Sequence, residues 1–177
     1  MKSKILALSA ISAGLVALVL TIGTYFNVAD IFCLALASCF VTLPLSYKSY
    51  LGSILSYLVG GVLAFLFTGF NIFIATVPAY FVFFGIYPII KQLLRQKQVN
   101  KIISYIIGLI WGIACAYGMY FYYVNFMGIT FSDLPLFVHE NILYLVGAIG
   151  GLFFVVYERF ITVSKRFIDI TVAKIIK

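Results

Sequence analysis

Apolar residues run through this chain in long blocks, and polar residues are confined to the short gaps between them. Six blocks read as helices, over residues 5–26, 31–47, 50–69, 72–92, 102–123 and 140–160. A helix rises about 1.5 Å per residue, so roughly twenty apolar residues match the ~30 Å hydrocarbon core of a bilayer. The pattern predicts an all-α integral membrane protein with six transmembrane helices. They form a single domain over residues 1–177, since no polar linker divides them. Pro44 falls near the inner end of the second helix. Pro88 falls in the last turn of the fourth and is expected to bend it there. Beyond residue 160, Phe160, Val163, Phe167 and Ile170 recur at helical spacing with Lys165, Arg166 and Asp169 between them. The tail 161–177 therefore reads as an amphipathic helix lying along the inner headgroups.

Charge sets the orientation. The fourth block runs directly into Lys91, Arg95, Lys97 and Lys101. Short basic loops stay cytoplasmic, because translocating Lys and Arg during insertion is unfavourable. With that loop inside, all 12 basic residues of the chain fall on the inner side. Asp30, Asp133 and Glu140 fall outside. Both termini are then cytoplasmic, and a cell-membrane location follows. The N-terminal apolar run is longer than a signal-peptide core and lacks an A-x-A site, so it reads as a retained helix.

Composition adds exclusions. Only 10% of residues are charged, against about 25% in soluble domains. The net charge of +7 is a topology and lipid-headgroup signal in such a chain, and nucleic acid is not an expected partner. Cys33, Cys39 and Cys115 lie within apolar blocks without C-x-x-C spacing and read as small buried hydrophobes. His139-Glu140 lacks the second histidine of H-E-x-x-H, because position 143 is Leu. No P-loop, G-x-S-x-G motif or mid-span charge is present, so no enzyme, cofactor or metal site is expected.

Two features suggest binding. Small residues crowd the first helix, with Ser9, Ala13 and Ala17 on one stripe and Ala10 with Gly14 on the next. Small stripes let helices approach closely in lipid, either within the bundle or against a partner. The outer ends of the helices collect polar and aromatic groups: Asn27, Asp30, Asn71, Tyr80, Tyr123, Asn125, His139, Glu140, Asn141 and Tyr144, with Tyr25, Thr68, Thr76 and Tyr120 nearby. An interfacial aromatic belt has this composition, and so does a small-molecule pocket opening outward. The outer half carries no Lys or Arg, so an anionic ligand would lack a counter-charge there. A neutral or cationic ligand is expected. Glu140 is its anchor in this reading, with Asn141 beside it and Tyr144 one turn below.

In size, helix number and orientation the chain resembles an S component, the substrate-capturing membrane subunit of energy-coupling-factor (ECF) vitamin transporters. Ala13 and Ala17 match the A-x-x-x-A pattern by which the first helix of S components docks on the coupling subunit. The segment FFGIYPIIK resembles the end of the fourth helix in S components of unassigned substrate. The resemblance implies capture of a water-soluble micronutrient from outside. It also implies delivery through a transmembrane coupling subunit and two ATPase subunits. Nickel and cobalt S components carry an N-terminal histidine, whereas this chain begins MKSK, so a metal substrate is not implied. The alternative is a membrane scaffold or assembly protein whose stripes bind other helices and whose outer polar groups are caps.

Overall fold

The computed structural model describes residues 2–26, 29–70, 75–128, 138 and 140–176. Among these residues six helices appear: α1 (Lys2–Tyr25), α2 (Asp30–Ser46), α3 (Tyr50–Phe67), α4 (Thr76–Gln96), α5 (Lys101–Phe126) and α6 (Ile142–Ile176). All but α2 are long and apolar enough to cross a membrane. Side-chain caps start two of them at the expected places. Ser49 Oγ accepts from the Gly52 N–H at the head of α3 (3.2 Å), and Asn100 Oδ1 accepts from the Ile102 N–H at the head of α5 (3.0 Å).

α1 runs through the middle of one half of the bundle, packed on α2 and α3. Its buried face is Ser9, Ser12, Ala13, Val16, Ala17 and Leu20. α3 meets it with Gly52, Ser56 and Gly60. A Cβ on Gly60 would sit 2.6 Å from Val16 Cγ1 and 3.0 Å from the Ala13 carbonyl oxygen. The Ser56 hydroxyl donates to the Ser9 carbonyl at 2.9 Å. The stripe Ser9–Ala13–Ala17, expected to dock a partner, is therefore spent on packing inside the bundle. Ala10 and Gly14 face outward, and nothing lies within 4 Å of a Cβ built on Gly14. α5 and α6 form a second pair, in which Phe154 seats against Gly108 and Gly112 and Ala116 against Gly150.

Prolines break two helices, and hydroxyls from neighbouring helices close the breaks. A proline lacks the N–H that would bond the carbonyl four residues earlier. Pro44 frees the Phe40 carbonyl, which accepts from Ser12 Oγ. The Val41 carbonyl loses its helical partner as the chain tightens at Thr42, and Ser53 Oγ donates to it at 2.6 Å. In α4, residues Tyr80–Phe84 form a π turn, with the Gly85 N–H reaching the Tyr80 carbonyl (2.8 Å). The Phe81 carbonyl is left over and accepts from Tyr57 (2.9 Å). Pro88 frees the Phe84 carbonyl, which accepts from both Ser38 (2.7 Å) and Tyr157 (3.1 Å). Pro88 thus lies at the head of a further helical stretch, Tyr87–Gln96, and not in the last turn. Irregular backbone at membrane depth is tolerated where protein groups satisfy it in this way.

The C-terminal halves of α4 and α6 are joined by a polar seam. Tyr87 donates to Glu158 Oε2 at 2.5 Å, and the Glu158 carboxylate pairs with Lys91 at 2.6 Å. Lys91 also reaches Thr162 (2.7 Å), and Lys165 bonds Gln92. One turn further, Ser46 donates to Asp169 (2.7 Å). These contacts hold the end of the chain in line with the bundle, and Ile161 is buried beside them. The tail therefore continues α6 as one helix of 35 residues, about 52 Å long, and does not begin a separate interfacial helix at 161.

Candidate binding cavity

The break in α4 shapes the site. Because Gly85 and Pro88 interrupt the regular ladder, the hydrogen bonds from Ser38, Tyr57 and Tyr157 fix the backbone between Phe81 and Phe84. That backbone directs Phe83 and Phe84 toward α6, where Phe84 meets Phe153 edge-on with ring centroids 5.9 Å apart. Phe83 stands edge-on to Phe154 (6.5 Å), and Tyr157 stacks on Phe153 (6.2 Å). π turns recur at functional sites because they re-aim side chains in this way.

Above this aromatic floor, α2, α4, α5 and α6 line a half-open cavity of about 480 Å³. That volume falls in the small-molecule range of about 300–1,000 Å³. The cavity spans from the phenylalanine floor to the helix ends where Asp30, Thr76, Tyr120 and Tyr123 line it. The rest of its lining is apolar, including Leu34, Val82, Met119 and Val146. Among the described residues Asp30 is the one charged residue on the lining. Its carboxylate accepts from the Ile31 N–H at 2.5 Å. Among the described residues the single ion pair is Lys91–Glu158, at the opposite end of the bundle.

Of the outer residues proposed from sequence, Asp30 and Tyr123 share this cavity, and so do Thr76 and Tyr120 from the wider group. Tyr80 does not line it. That side chain is fully buried in the core, with its hydroxyl on the Tyr57 carbonyl (3.3 Å). Asn125 bonds back to the Phe121 carbonyl one turn earlier (3.0 Å). Glu140 and Tyr144 point away from the cavity, Tyr144 with 79% of its surface exposed. Asn141 also lies off the lining. Asn27, Asn71 and His139 lie outside the described residues. Among the described residues the carboxylate that meets the cavity is thus Asp30, on α2, and not Glu140. Sequence reasoning missed the phenylalanine floor because nothing distinguishes a cavity-lining Phe from a lipid-facing one in an apolar block. The available signal was Pro88, four residues after Phe84, which marks a carbonyl that another helix must satisfy.

Searches against family models, curated proteins and solved structures find no match to the chain.

Proposed function

We propose that this chain is a multi-pass cell-membrane subunit that captures a small molecule from outside in the cavity between α2, α4, α5 and α6. The observation that carries the reading is the cavity itself: about 480 Å³, half open, lined by four helices and floored by packed aromatic rings. A helical scaffold has no need of such a space, since unfilled volume forfeits packing contacts. Following the resemblance to S components, the captured molecule is a vitamin-like micronutrient. Delivery then requires a coupling subunit and ATPases, because nothing in this chain resembles a nucleotide site. The termini are cytoplasmic in this reading, by the one-sided placement of Lys and Arg. Docking falls on the outward stripe of α1 around Ala10 and Gly14, since Ala13 and Ala17 are occupied.

The test is thermal unfolding of the purified protein across a panel of water-soluble vitamins. Ligand binding to the folded state raises stability by about 2.7 kcal/mol at a hundredfold excess over Kd. A concentration-dependent rise in Tm with one panel member is expected. A flat response to the whole panel favours the scaffold reading.

A further inference from the structure

We infer that the cavity selects an organic cation: a protonated or quaternary nitrogen seated at Asp30, with an apolar, ring-bearing body reaching the phenylalanine floor. This rests on the cavity being a small-molecule site, and it names the ligand chemistry. The charged end follows from the lining. Among the described residues Asp30 is its one charge, and no Lys or Arg lines the cavity. An anion placed here would meet a carboxylate without a compensating cation, a costly arrangement away from water. A cation gains the carboxylate and has two tyrosine rings, Tyr120 and Tyr123 of α5, on the same lining. Asp30 has no basic partner among the described residues.

The apolar body follows from depth. Below Asp30 the walls are aliphatic and aromatic down to Phe83 and Phe154, with small residues such as Ala79 and Gly112 leaving the room. Hydroxyls or carboxylates on that part of a ligand would be buried without partners. An aromatic body instead meets ring edges on the floor, a favourable geometry for aromatic pairs.

The experiment compares three probes of one shape on the full-length protein in lipid nanodiscs at pH 7: 2-naphthylmethylamine, 2-naphthylmethanol and 2-naphthoate. Empty nanodiscs measure partition into lipid alone. The amine is expected to bind at least about tenfold more tightly than the alcohol, and the carboxylate not detectably. Asp30→Asn is expected to reduce amine binding to the level of the alcohol and to leave alcohol binding unchanged. Equal binding of amine and alcohol, tighter binding of the carboxylate, or amine binding undiminished in a folded Asp30→Asn overturns the inference while keeping the cavity as a site. Absence of binding by all three overturns the inference, and a flat vitamin panel beside it removes the cavity reading as well. Should Asp30→Asn fail to fold, the wild-type comparison of the three probes decides alone.

Discussion

Ala13→Trp and Ala17→Trp will leave little folded protein, whereas Gly14→Trp on the adjacent stripe will fold like the wild type. Ala13 is 4% exposed and Ala17 2%, and α3 approaches that face so closely that Gly60 has no room for a Cβ. Over-packing a tight core costs about 1–3 kcal/mol for a few extra methylenes, and an indole ring at a closed helix contact exceeds that. Gly14 has open space around it, so the same ring there projects outward. Circular dichroism and size-exclusion profiles of the detergent-solubilised variants read the difference. Wild-type folding of Ala13→Trp would mean that α1 and α3 do not pack as described. If the folded Gly14→Trp protein also loses assembly with a coupling module, the outward stripe is the docking face.

Glu158→Ala will destabilise the protein by about 3 kcal/mol, and adding Lys91→Met will recover most of the loss. Glu158 is the acceptor for Tyr87 and the counter-charge for Lys91, and the two paired side chains are only 16% and 25% exposed. Removing one partner of a largely buried pair leaves the other charge uncompensated, which typically costs about 3–5 kcal/mol. Replacing the second partner by an apolar group of similar length removes that penalty. A double-mutant cycle of thermal melts isolates the pair from the effects of each change alone. A Glu158→Ala protein that melts with the wild type would show that the seam contributes nothing to holding α4 on α6.

The helices were legible because five of the six apolar blocks have the length a bilayer demands. The breaks within them were partly legible. Pro44 and Pro88 announce missing N–H groups, but the partners that fill the freed carbonyls, Ser12, Ser38 and Tyr157, lie far away in sequence. The seam was hidden because Glu158 and Lys91 both read as end-of-helix charges until α6 proved to run on to Ile176. For the stripes of α1, sequence shows that two faces are small but not which one α3 takes. Gly52 and Gly60 on α3 settle it by geometry, Gly52 at Ser9 and Gly60 at Ala13 and Val16. The carboxylate at the site was assigned to Glu140 because helical spacing puts it over Tyr144. Burial decides otherwise, since both face away while Asp30 lines the cavity.

The central claim is that the cavity holds a small molecule, and blocking it while keeping the fold tests this most directly. Val146 lines the cavity from α6 and is only partly buried, so Val146→Trp places a ring into the open space without displacing the core. Wild type and variant are purified in parallel, and the small molecules released on denaturation are compared by mass spectrometry. The account predicts a compound retained in a fixed ratio to wild-type protein and lost from the folded variant. An identical set of small molecules from both proteins would contradict it.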